Sequence, residues 1–438
     1  MNLYSLLARR TDNPVRILVI GAGKFGAMFL AQAPRVHGLH VAAIADLSIA
    51  KARETLALAG WGAERFAARS FADALAHGTT FVSDDTLSLI AQDEVDVVIE
   101  ATGAVNAGIR HALASFRHGK HVVMVTVEAD TLVGPLLARK AKEAGVIYSL
   151  AYGDQPALIC ELVDWARCSG FEVIAAGKGT KYLPVYHDST PDTVWDYYGF
   201  NSETVARGGF NARMFNSFLD GTKSAIEMAA VANATGLTPS PDGLAFPPCG
   251  ADELPRILKP RANGGTLHHA GQVEVVSSLH RDGKPVERDL RWGVFVVFRA
   301  NSNYVRQCLG EYGLVTDDSG EYSALYRPYH LIGLELAVSV ASVALRGEPT
   351  GAPNAFRADV VAVAKRDLRP GDMLDGEGGY TVWGKLTPAA DSIASGYLPI
   401  GLAHDAKLLK PVAKDALIRY DDVELEDSGA LKIRREME

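Results

Sequence analysis

Three kinds of residue in this chain carry chemistry by type and spacing: glycines behind a strand, lysines set between glycines, and carboxylates at strand ends. The glycines come first, in Gly21-Ala-Gly23-Lys24-Phe25-Gly26, directly after the apolar run Val15–Ile20 and at the start of a helical pattern. In that context the first glycine permits a tight turn, the second lets backbone approach a pyrophosphate, and the third allows close helix packing. The helix N-terminus adds amide donors and partial positive charge. Asp46 closes the second apolar run about 20 residues further on, where an acid accepts both ribose hydroxyls and repels a 2′-phosphate. NAD is therefore expected over NADP, the alternative being that Asp46 only caps the following helix. Ala101-Thr102-Gly103 forms a small turn at the carboxyl edge of the predicted sheet, with Thr126 at the end of the next strand. Both sites suit the cofactor, although Thr102 is equally a helix N-cap.

Candidate proton-handling and substrate groups follow. Glu128 is either a proton acceptor or an acid placed in a helix first turn for the dipole. Asp154, just ahead of Gln155-Pro156, either touches substrate or a metal or caps a helix. In Gly177-Lys178-Gly-Thr180-Lys181, directly after a predicted strand, the lysines suit an anionic substrate. A desolvated Lys178 can also shuttle the proton of a hydroxyl or carbonyl being interconverted. Asp220-Gly-Thr-Lys223 with Glu227 is either part of the same site or a helical i,i+4 pair. Asn233, Arg327 and His330 are further donors for substrate, and His187-Asp188 reads as ordinary loop. No Cys/His ligand set or HExxH appears, so no metal ligands are assigned, while a divalent ion between Asp154 and Glu128 is compatible with the pattern. A GxSxG elbow and a Walker lysine are also lacking, against hydrolase and kinase readings.

The elements that must position these groups alternate between β-branched runs and amphipathic stretches. Strands are predicted at Val15–Ile20, His40–Ala45, Val95–Glu100, His121–Thr126 and Val146–Leu150, with helices near 27–33 and 106–116, the latter stopped by Gly119. This is an α/β Rossmann-type parallel-sheet domain over 1–152. An α+β substrate and oligomerisation domain is expected over 153–354. Its strands fall at 171–176, 271–279 and 292–299, its helix at 223–233, and its turn-rich segments at 184–209 and 238–265. A small β-rich domain over 355–438 completes the chain, with strand-and-turn patterns at 360–364, 398–402 and 410–418.

The 438 residues suffice for two or three domains, and 48% hydrophobic with 22% charged residues is an ordinary globular composition. A net charge of −8 argues against nucleic acid and anionic lipid as partners. The stretch Leu331–Leu345 is interrupted by Glu335 and too short to span a bilayer, so it reads as a core helix. Four scattered cysteines predict reduced, buried thiols and a cytoplasmic location.

The runs Val95–Gly103 and Gly119–Glu128 resemble the nucleotide domain of homoserine dehydrogenases. Ala175–Gly179, Phe218–Leu237 and Tyr326–Leu331 look like homoserine-dehydrogenase-like proteins with a C-terminal SAF domain, a family that includes deoxyxylulose-phosphate reductoisomerase-like enzymes. The resemblance implies an oligomeric nicotinamide oxidoreductase, with Glu128 and Asp154 near acids that hold substrate or metal and Lys178 and Lys223 near an anion site. The family's Asn-Lys pair is Thr126-Val127 here, which argues against homoserine, and Asp46 argues against NADPH. The expectation is an NAD(P)-dependent oxidoreductase or oxidoisomerase of a sugar acid, polyol or sugar phosphate. The alternatives are a reductoisomerase-like enzyme using NADPH and, from another class, a dinucleotide-sensing binding protein.

Overall fold

Val15–Ile20 forms strand β1, and its β-branched and leucine side chains are buried on both faces, as a central parallel strand requires. The computed structural model describes residues 2–208 and 210–438. Around β1 lie β2 (Leu39–Ala45), β3 (Phe81–Ser83), β4 (Val97–Glu100), β5 (His121–Met124) and β6 (Tyr148–Leu150). All pair in parallel, in the order β3-β2-β1-β4-β5-β6. The chain winds one way from β1 to β3 and the other way from β4, so the carboxyl ends of β1 and β4 flank the crevice where such sheets bind ligands. The short β3 was not foreseen, since three residues carry too little periodicity to register.

One face of the sheet packs Ile17, Val19, Val97 and Ile99 against Phe29 and Leu30 of the helix Lys24–Gln32 and against Leu336, Val340 and Val343. The stretch Leu331–Leu345, expected as one helix, instead begins as a turn and becomes helical only at Ala337–Ala341, continuing as a π-helical turn over Ser342–Arg346. Gly333 explains the delay: it adopts φ +72°, and a β-carbon there would stand 2.8 Å from the Phe25 carbonyl oxygen. Among the described residues no helix is long and apolar enough to cross a membrane.

The chain divides into two compact units. The first comprises Met1–Leu158, His330–Asn354 and Lys432–Met437; the second holds Ile159–Tyr329 and Ala355–Leu431. Within the second, β7 (Glu172–Thr180), β8 (Gln272–Ser277), β9 (Val294–Arg299) and β10 (Tyr322–Arg327) form a mixed sheet in the order β10-β9-β7-β8. β11 (Ala358–Ala364), β12 (Met373–Asp375), β13 (Val382–Pro388), β14 (His404–Leu408) and β15 (Val423–Glu424) make two small antiparallel sheets, β11-β13 and β12-β14-β15. The helix Thr222–Thr235 is buried on nearly every side because it packs against both β7-β8 and β11-β13. Residues 355–431, expected as a separate domain, thus share a unit with the substrate-domain residues. Within them 398–402 is mostly a 3₁₀ turn and 410–418 makes only single bridges. The segment read as loop at 184–209 contains the helices Val194–Tyr198 and Ser202–Gly208, with Trp195, Tyr198 and Phe200 clustering on Phe215; its last residue, Gly209, lies outside the described residues. All four cysteines are free, but only Cys249 is buried. Cys168, expected inside, ends its helix exposed.

Candidate functional site

The glycine-rich turn has the stereochemistry that its spacing predicts. Gly21 sits at φ +95°, with a β-carbon position 2.6 Å from the Ala101 carbonyl oxygen, so any side chain there would strike the neighbouring turn. A β-carbon on Gly26 would collide with the Gly21 carbonyl, which explains the third glycine as a helix-packing requirement. Gly23, the N-cap, meets nothing within 4 Å and has no side chain capping the first amides. These are the features a pyrophosphate needs: open backbone at a helix start that no side chain caps. Lys24 is exposed beside them and Phe25 packs into the core below.

Asp46 does two jobs. Its Oδ2 accepts from Ala22 N at 2.8 Å and its Oδ1 from Ser48 N at 2.9 Å, so the carboxylate ties the end of β2 to the glycine turn. The helix cap proposed for it belongs instead to Ser48, which accepts from Lys51 N. A carboxylate has about four lone-pair positions, so two remain for ribose hydroxyls after these bonds.

At the carboxyl end of β4, Glu100 is fully buried and collects three side chains. Thr102 Oγ1 donates to it at 2.5 Å, Thr126 Oγ1 donates to its other oxygen, and His111 Nδ1 lies 3.3 Å away. Thr126 Oγ1 in turn accepts from Gly103 N at 3.0 Å. Thr102, Gly103 and Thr126 are therefore held in one network, centred on an acid that the sequence reading noticed only as a strand end. The readable signal was a carboxylate closing an apolar strand, since such a buried charge demands partners. Thr126 is the N-cap residue of the helix Val127–Glu143, which puts Glu128 in its first turn, the dipole-favoured position. Asp154 is buried and its Oδ1 accepts from Gln155 N at 2.9 Å, just ahead of the helix Gln155–Cys168.

In the second unit the lysine-glycine segment does not follow its strand but forms the end of it. β7 runs through Thr180, and Lys178 is a strand residue. A β-carbon at Gly177 would collide with the Glu274 carbonyl and one at Gly179 with the Leu290 carbonyl, so these glycines serve close backbone approach, not flexibility. Lys178 Nζ donates to Glu227, and the two side chains are only 8% and 6% exposed. Glu227 comes from the Thr222–Thr235 helix, so it pairs across to the sheet. Lys223 is half-buried on the same helix and Thr180 half-buried at the strand end. Lys181 Nζ donates to the Tyr197 carbonyl and lies over the Tyr198 ring; burial, then the nearby Arg291, lower its pKa.

Two residues assigned to substrate are spent on structure. Asp220 is fully buried, with Oδ2 2.7 Å from Lys365 Nζ and Oδ1 accepting from Thr222 N. Asn233 accepts from Arg357 N and Ala358 N and donates to the Ala358 carbonyl. Arg327 ends β10 over the Tyr329 ring, and His330 is half-buried. Among the described residues no group of three or more His, Cys, Asp or Glu is arranged to hold a metal ion.

Residues 15–126 match the oxidoreductase family, NAD-binding Rossmann fold, and residues 153–336 match the catalytic domain of oxidoreductase DRL. No curated protein is significantly similar in sequence. Solved structures that resemble the chain include an oxidoreductase from Agrobacterium radiobacter in complex with NAD+, L-tartaric acid and magnesium, at 17% identity and TM-score 0.29, covering 39% of this chain and 45% of that one. An NAD binding oxidoreductase from Klebsiella pneumoniae is 16% identical with TM-score 0.35, covering 73% and 67%. Levoglucosan dehydrogenase in complex with NADH and L-sorbose is 14% identical with TM-score 0.31, covering 71% and 66%. At these scores no property of those proteins transfers to this chain. The two family matches, on a Rossmann sheet whose glycine turn has the required backbone, make this protein an oxidoreductase with an NAD-binding domain.

Proposed function

We propose that the protein is an NAD-linked dehydrogenase or oxidoisomerase of a small hydroxylated acid, polyol or sugar phosphate, in which Lys178 handles the proton of the reacting oxygen. The observation that carries this reading is the buried Lys178–Glu227 pair on adjacent elements of the second unit. A lysine taken out of water and held by a carboxylate is pre-oriented, which is what a proton donor or an oxyanion partner needs. Bound NAD supplies the acceptor for the hydride leaving the substrate carbon. In reduction the Lys178 ammonium gives its proton to the nascent alkoxide; in oxidation the neutral amine takes the hydroxyl proton. Glu227 orients that nitrogen and balances its charge. The glycine turn and the amides of the Lys24–Gln32 helix fit the pyrophosphate, and Asp46 supports the preference for NAD.

The test is turnover with pooled sugar acids, polyols and their phosphates, offered with each nicotinamide form, in wild type and Lys178→Ala. The expected result is NAD-dependent turnover that falls by about 10²–10⁴ in the variant, with cofactor affinity retained. Glu227→Gln, which keeps the shape, should lose less. Turnover confined to deoxyxylulose 5-phosphate with reduced NADP would replace this reading with the reductoisomerase one. Cofactor binding without turnover in any pool would make the protein a dinucleotide sensor.

A further inference from the structure

The acid that ends β4 sits where a hydrophobic residue would cost less. Glu100 has no exposed surface, and the helices Val105–Arg117 and Val127–Glu143 begin around it. A β-carbon on Gly108 would stand 3.3 Å from Glu100 Oε2 and 3.2 Å from the Ala129 β-carbon, so the two helices meet at the carboxylate. Taking a carboxylate out of water is expensive, and a leucine would fill this place without that expense. What the acid adds is direction.

Each hydroxyl bound to Glu100 is used twice. Thr126 Oγ1 accepts from Gly103 N at 3.0 Å and donates to Glu100. Thr102 Oγ1 accepts from Ala104 N at 3.3 Å and donates to Glu100 at 2.5 Å. A hydroxyl has one hydrogen and an ionised carboxylate only accepts, so Glu100 fixes which way both hydroxyls point. The amides of Gly103 and Ala104 are thereby tied, through two threonines, to one buried acid. His111 Nδ1, 3.3 Å away on the helix Val105–Arg117, completes its surroundings.

The turn held in this way borders the glycine turn. Ala101 N donates to the Ile20 carbonyl at 2.8 Å, and the β-carbon position of Gly21 lies 2.6 Å from the Ala101 carbonyl oxygen and 3.1 Å from Thr102 N. Residues 102–104 are exposed, and the Thr102 amide meets no acceptor among the described residues. β2 and β4 are the two neighbours of β1, with Asp46 just past the end of one and Glu100 at the end of the other. A dinucleotide across such a sheet, its pyrophosphate at the glycine turn and its adenosine ribose toward β2, extends its second ribose toward β4.

We propose that Glu100 is the positioning residue for the nicotinamide half of the dinucleotide. Without touching the cofactor, it holds the Ala101–Gly103 turn and the unpaired Thr102 amide in the arrangement that receives the nicotinamide-side phosphate and ribose. This role requires only the NAD-binding domain and is independent of the proton chemistry assigned to Lys178.

Calorimetric titration of the full chain with NAD and with ADP, which lacks the nicotinamide ribose, separates the two halves. Thr126→Val keeps the shape but cuts the link from Gly103 N to Glu100. It should weaken NAD binding about tenfold and leave ADP within about twofold of wild type. Thr126→Ser, which restores the hydroxyl, should restore NAD affinity. Glu100→Gln, with one acceptor oxygen in place of two, should show the same selective loss. Retained ADP binding shows that each variant is folded, and if Glu100→Gln does not fold the Thr126 pair decides alone. Equal losses of NAD and ADP would reduce Glu100 to a structural anchor and overturn the proposal. So would unchanged NAD affinity in Thr126→Val, or a loss in Thr126→Ser as large as in Thr126→Val.

Discussion

Asp46 shows how one side chain can be legible in role and still surprise in detail. Its place at the end of β2 was readable from spacing, but its bonds to Ala22 N and Ser48 N were not, because they depend on how the glycine turn folds back. The same carboxylate therefore shapes the turn and, in the proposed function, selects the cofactor. Asp46→Asn keeps an acceptor for Ala22 N while removing the charge. The expected outcome is a rise of about tenfold or more in NADP relative to NAD affinity, with little change in melting temperature, measured by cofactor titration. A preference that does not move would remove Asp46 from cofactor selection. Lys178 makes the complementary point: its residue type suggested chemistry, but only pairing β7 with the Thr222–Thr235 helix revealed Glu227 as its partner.

Among the elements, the helix Val127–Glu143 and β6 share a buried acid that neither reveals alone. Asp130 Oδ1 accepts from the Tyr148 hydroxyl at 2.8 Å, while Oδ2 is buried without a hydrogen-bond partner among the described residues. Burial pushes the Asp130 pKa up to about 7, and the Tyr148 hydrogen bond only partly opposes it. The folded chain thus keeps a proton that the unfolded chain releases in the ordinary carboxylate range. Stability from this group is intact at acid pH and is lost as pH rises between roughly 4 and 7. Asp130→Asn imitates the protonated form. Its melting temperature should exceed that of wild type at about pH 8 and approach it at about pH 5; a gap independent of pH would sink the assignment. Glu274, also raised to about 7 by burial, adds to the background slope in the same direction.

For the molecule as a whole, the second unit is built around side chains that connect distant segments. Lys365 Nζ reaches the Ser189 carbonyl at 2.7 Å, the Gly379 carbonyl at 2.9 Å and Asp220 at 2.7 Å, using all three of its donors in the interior. Asn233 joins the central helix to the start of β11 in a comparable way. Such groups bind segments far apart in sequence, so their loss is felt by the unit as a body. Lys365→Met should cost about 3–5 kcal/mol, read as a lower denaturant midpoint, because Asp220 is left charged and buried. Adding Asp220→Leu should recover part of that loss. A single variant as stable as wild type would show that the pair carries no weight.

The sequence by itself determined the parallel α/β sheet and the place of the dinucleotide turn. These rest on local rules: β-branched runs, a glycine spacing and a helix start are written in consecutive residues. Tertiary structure decided the rest. It carried β7 on through Gly177–Thr180, past the expected strand end, because these glycines answer to carbonyls of Glu274 and Leu290, far away in the chain. It assigned Asp220 and Asn233 to internal stitching, gathered Thr102, Thr126 and His111 around Glu100, and drew 355–431 into the second unit. Each depends on which buried polar group finds which partner across the fold, and a linear pattern does not encode that choice.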